Sequence, residues 1–141
     1  MRQIYETKKR NEMKKLLIMT MMLVGICSFA SAQKQAEIKF DALTQDLGKF
    51  PESAPVQKCV FTFTNVGDAP LVINQAVASC GCTVPSYTKE PIAPGKKGTI
   101  TVTYNGKGKF PGYFKKTVTV RTNAKTEMVR IYIVGNMEEG K

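Results

Sequence analysis

The sequence predicts an all-β, Ig-like β-sandwich of about seven antiparallel strands. Three observations predict it. From residue 33 onward apolar and polar side chains alternate with period two, and no long helical period occurs. The alternating runs are short and evenly spaced, with Gly, Pro and Asn turns between them. Residues 33–141 are enough for one domain with one modest core.

The first element stands outside the sandwich. Lys14-Lys15 precede an apolar run from Leu16 to Ala30, and Ala30-Ser31-Ala32 closes it. Basic, apolar and small residues in that order read as a secretory signal peptide over residues 1–32. Cleavage is expected after Ala32, and Met13 offers an alternative start that leaves the same mature chain. The run at 16–30 falls short of the roughly 20 residues that span a bilayer, so no membrane span is expected after cleavage. Cys27 follows Ile26 rather than a small residue, which argues against lipidation. The first 32 residues carry six basic and two acidic side chains, so the remainder keeps +6 of the +10 net charge. That mild excess, with no basic motif in an exported chain, argues against a nucleic-acid partner.

The strands follow in order. Ile38 and Phe40 flank Lys39 in a short first strand. Cys59, Phe61 and Phe63 alternate with Lys58, Val60, Thr62 and Thr64, and Asn65 to Pro70 supplies turn chemistry. Leu71, Ile73 and Val77 are expected on one face of the next strand. Pro85 interrupts Thr83 to Tyr87, which places that strand at an edge. After a turn at Ile92 to Gly98, Ile100, Val102 and Tyr104 alternate with threonines. Val118 and Val120 form the next strand, residues 122–125 turn the chain, and Val129, Ile131 and Ile133 form the last. There is no Trp, so the likeness to an antibody domain is one of architecture.

Three blocks carry a family resemblance. They are Phe61 to Gly67 followed by Leu71-Val72-Ile73, then Ser79-Cys80-Gly81-Cys82-Thr83, then Ile92-Ala93-Pro94-Gly95 leading to Ile100 to Tyr104. Together they resemble the bacterial exported family called domain of unknown function 1573, over about residues 37–135. The Ser-Cys-Gly-Cys-Thr block is the specific one. The resemblance implies an Ig-like sandwich similar to the Hydin and major-sperm-protein types, and it supplies no activity.

Cys59, Cys80 and Cys82 are the disulfide candidates, and their odd number leaves at least one sulfur over. A Cys59 bridge to one of the pair ranks first, closing a loop of some 20 residues worth about 3 kcal/mol. A Cys80–Cys82 bridge needs a kink, which Gly81 permits, and so small a ring is strained and easily reduced. Reduced thiols rank second, ahead of that vicinal bridge, with Cys80 and Cys82 as metal ligands for a soft ion such as Cu(I). A structural zinc site wants four ligands, and the chain has no His.

Residues 106–116 are basic and aromatic, with Lys107, Lys109, Phe110 and Tyr113 able to contact an anionic glycan, a lipid headgroup or an acidic protein surface. An ordinary long connection between strands is the favoured reading. Without His, neither a Ser-His-Asp nor a Cys-His arrangement can be built within the chain, and no carboxylate pair stands out. The expectation is a non-enzymatic binding or assembly module of the cell envelope, needing no cofactor, with a protein or envelope-surface partner. An exposed sheet edge that accepts or donates a strand is the expected means. The alternative is a small thiol- or Cu(I)-handling protein. Periplasm or outer surface, and the oligomeric state, stay open.

Overall fold

The computed structural model describes residues 2–24 and 33–140. The chain divides into two units, residues 1–33 and 34–141. Among its described residues the first contains one helix, α1 (Arg2–Val24). No described helix is long and apolar enough to cross a membrane. The expected cleavage site at Ala30-Ser31-Ala32, and Cys27, lie outside the described residues.

The second unit is a two-sheet sandwich of eight strands. In chain order they are β1 (Ile38–Phe40), β2 (Thr44–Pro51), β3 (Val56–Asn65), β4 (Ile73–Ala78), β5 (Thr83–Tyr87), β6 (Lys97–Asn105), β7 (Gly112–Thr122) and β8 (Met128–Glu138). One sheet has the order β1-β3-β6-β5, the other β2-β8-β7-β4. The count is therefore eight rather than seven. The added strand is β2, and it pairs with β8 in parallel rather than antiparallel fashion. Its sequence hides it: a register shift between Asp46 and Lys49 breaks the alternation. There Asp46 Oδ1 accepts the Gly48 amide at 2.8 Å, and Gly48 takes a positive φ of 70°.

The core is built as the alternation requires. Phe61, Phe63, Ile100, Val102 and Tyr104 project from one sheet, and Val118, Val120, Ile131, Ile133 and Met137 from the other; all are buried. Each such side chain contributes about 1.5–3 kcal/mol on burial. Tyr104 stacks on Phe114 with ring centroids 4.0 Å apart, and Phe50 meets both rings edge-on.

Two expectations are corrected in the elements nearest the site. Val77 does not share a face with Leu71 and Ile73. Those two are buried while Val77 is 48% exposed, because a register shift between Ile73 and Gln75 changes the parity of β4. Ala76 and Ala78 pack on the core in its place. In addition, β7 begins at Gly112, so Tyr113 to Lys116 belong to a paired strand, not to a loop.

Candidate functional site

Four strands have a free edge: β1 and β5 in one sheet, β2 and β4 in the other. Three are blunted. The first has three residues, β5 carries Pro85, and β2 has its register shift, two charges (Asp46 and Lys49) and Pro51. By contrast, β4 shifts register once, between Ile73 and Gln75, but its six residues, Ile-Asn-Gln-Ala-Val-Ala, carry no charge and no proline. The Ser79 amide donates to the Thr117 carbonyl of β7 at 2.9 Å. Backbone groups alternate in direction along a strand, so Gln75 and Val77 also bond inward, toward β7, whereas Ala76 and Ala78 turn theirs to the open edge. The Tyr87 hydroxyl donates to the Asn74 carbonyl at 3.3 Å, which closes one end of that edge.

The second feature lies where the chain crosses between sheets. Residues 79–82 carry it from β4 to β5, and residues 106–111 from β6 to β7. Both crossings lie at one end of the sandwich, because β5 begins opposite the end of β6, with Thr83 paired to Tyr104. The Asn105 amide donates to the Cys82 carbonyl at 2.8 Å, and Asn105 Oδ1 accepts the Lys107 amide at 3.0 Å. An open cleft results, lined by Cys80, Gly81, Cys82, Asn105, Lys107 and Lys109. Two segments that the sequence singled out separately thus meet in one place.

Cys80 and Cys82 are bridged to each other, with Cα atoms 5.3 Å apart, and Cys59 is free. The favoured Cys59 bridge does not form, and sheet geometry gives the reason. Cys59 lies opposite Val102 on one side of β6, while Cys82 lies beside Asn105 on the other. At about 4.8 Å between strands and about 3.4 Å per residue, the two Cα atoms stand roughly 14 Å apart. Bridged cysteines need less than about 7 Å. Gly81 does not use its freedom in φ: it is absent from the positive-φ glycines, and open space surrounds the position of a side chain there.

Thr83 was missed as a site residue. It is only 3% exposed, and its Oγ1 lies 3.7 Å from both Cys80 Sγ and Cys82 Sγ. Burial of the residue after the motif was the missing information, and alternation in so short a strand does not supply it. Burial pushes the Cys59 thiol up to about 11. Of the proposed ligand-loop residues, Lys107 and Lys109 reach the cleft, whereas Phe110 (96% exposed) and Tyr113 (71% exposed, on β7) do not line it. In the bridged form the Cys80 and Cys82 sulfurs offer no thiolate to a soft metal, and Cys59 is too distant to be a third ligand. Among the described residues no cluster of three or more Cys, Asp or Glu side chains could hold a metal ion.

Residues 38–137 match the family described as "Protein of unknown function (DUF1573)". No curated protein matches the sequence. Several solved structures share the fold. A protein of unknown function from Porphyromonas gingivalis W83 superposes with a TM-score of 0.63 at 14% identity, over 74% of this chain and 48% of that one. The chain therefore spans about half the length of that relative. The ASH/PapD-like domain 7 of human CEP192 gives 0.58 at 8% identity, over 76% and 89%. The periplasmic chaperone SfaE gives 0.51 at 14% identity, over 74% and 59%. At these identities the likeness is one of fold.

Proposed function

The chain belongs to the DUF1573 family of unknown function, and from that premise we propose that it is an exported, non-enzymatic binding or assembly module that docks an extended segment of a partner protein on β4. The open β4 edge carries the proposal. Among the described strands it is the one edge without proline, charge or short length, and Ala76 and Ala78 direct backbone groups along it. Two further observations support the reading. The fold neighbours include a periplasmic chaperone and a PapD-like domain. The N-terminal order of basic, apolar and small residues fits export.

An extended partner would pair with Ala76 and Ala78 and lay alternate side chains on the outer face beside Gln75 and Val77. Photo-crosslinking groups at Gln75 and at Asp46, introduced into the protein in its native host, compare the β4 and β2 edges. Ala76→Pro is the decisive variant: its amide points outward, so the fold is retained while the new pairing loses a donor. Crosslinks from position 75 that disappear with Ala76→Pro are expected. Equal crosslinking from position 46, or crosslinks that survive Ala76→Pro, reject the assignment to β4.

A further inference from the structure

We propose that Cys80–Cys82 is a thiol–disulfide exchange site for thiols carried on anionic molecules. The proposal goes beyond strand docking and does not depend on it. Four observations carry it. The disulfide is half-buried at the cleft, not sealed in the core. Gly81 places no side chain beside it, and the space there is open. Lys107 and Lys109 are the charged residues lining the cleft, and no carboxylate joins them. Beneath lies the buried Thr83 hydroxyl, 3.7 Å from either sulfur.

The Thr83 hydroxyl is placed to act on the opened form of this disulfide. A disulfide sulfur is a poor hydrogen-bond acceptor, whereas a thiolate accepts a strong, charge-assisted bond. Thr83 therefore favours the state in which the sulfur–sulfur bond has broken and one sulfur carries charge. Lys107 and Lys109 act in the same direction on the leaving thiolate, and they draw in an anionic reactant.

The step balances without another reagent. The substrate thiolate attacks Cys80 Sγ, the more open sulfur, since Cys82 packs against the core. A substrate–Cys80 bond forms as the Cys80–Cys82 bond breaks, and Cys82 leaves as a thiolate that accepts the Thr83 hydroxyl proton in a hydrogen bond. A second substrate thiolate attacks the substrate-side sulfur of the mixed disulfide. It releases oxidised substrate disulfide, Cys80 leaves as a thiolate, and the two protein thiolates take up the two protons that the substrate thiols gave to water, leaving a dithiol reduced by two electrons.

The oxidised full chain, treated with reduced glutathione or with cysteamine, tests this. Reduction at the Cys80–Cys82 peptide is followed by alkylation and mass spectrometry, and an oxidised linear Ser-Cys-Gly-Cys-Thr peptide is the reference. Anionic glutathione is expected to reduce the folded protein about tenfold faster than the peptide, with a preference over cationic cysteamine that the peptide lacks. Lys107→Ala with Lys109→Ala removes exposed side chains and is expected to abolish that preference. Thr83→Val is expected to slow both thiols, and Thr83→Ser to restore the rate. A folded protein no faster than the peptide overturns the proposal, as does a preference that survives the double lysine variant. If Thr83→Val fails to fold, the lysine variant alone decides.

Discussion

Asn65 has no exposed surface, yet its side chain joins four backbone groups at the end of the sandwich opposite the disulfide. Its Nδ2 donates to the Ala69 and Ile92 carbonyls at 2.8 and 2.9 Å, and its Oδ1 accepts the Gly67 and Glu37 amides at 3.0 and 3.4 Å. Gly67 fits there because a Cβ would overlap the backbone of Gln35 and Glu37. Asn65→Leu keeps the bulk and strands those partners, so a loss of about 2–4 kcal/mol is expected, read as a lower urea midpoint at unchanged slope. A loss under about 1 kcal/mol would show that the partners find other bonds. The sequence marks Asn65 only as a turn residue. Its burial follows from the Ile92 segment folding back over it, a long-range event that local composition does not encode. Cys59 gives a second expectation. Its thiol is raised from 9.0 to about 11 by burial, so the folded chain holds this proton after the unfolded chain has lost it. The contribution is complete below pH 9 and declines as pH rises through about 11. Urea midpoints across that window should fall more steeply for the parent than for Cys59→Val. Equal slopes would place the thiol in a watery setting.

At the scale of the element, β4 shows where pattern reading stops. Alternation assigns faces correctly while register holds, as in β3, β6 and the central part of β8, where Phe61, Phe63, Ile100, Val102, Ile131 and Ile133 are all buried as expected. A one-residue shift reverses every later side chain, and the shift between Ile73 and Gln75 leaves no compositional trace. The same cause hid β2, whose pairing is carried by backbone and not by a striped sequence. Substitution tests the parity directly. Val77→Lys, on the outer face, should change stability by no more than about 0.5 kcal/mol. Ile73→Lys, at 4% exposure, should unfold the protein or lower its stability by several kcal/mol, since it buries an unpaired charge. Comparable losses at both positions would mean that β4 runs without the shift. Ala76→Pro is informative here as well, because retention of the fold shows that the Ala76 amide faces away from β7.

For the whole molecule, topology decides what the two crossings make together. Cys80 to Cys82 and Lys107 to Lys109 were each legible as unusual segments. Their meeting was not, because it needs β4 to lie in one sheet and β5 in the other, and no local period states sheet membership. The same topology leads us to expect that the disulfide is dispensable for folding. It closes a loop of sequence separation 2, so it restricts the unfolded chain less than a bridge across a long loop would. In the chain-entropy model so short a loop is worth about 1.5–2 kcal/mol, against about 3 kcal/mol for the longer Cys59 bridge that does not form. The core, by contrast, draws buried side chains from both sheets and is continuous within residues 34–141. Residues 34–141 produced alone, with Cys80→Ser and Cys82→Ser, are therefore expected to unfold in one cooperative transition. Circular dichroism and tyrosine fluorescence should trace the same curve, with stability lowered by no more than about 2 kcal/mol. A non-cooperative curve, or a larger loss, would make the disulfide a structural staple. It would also remove the thermodynamic ground for a sulfur pair that opens and closes while the sandwich stays folded.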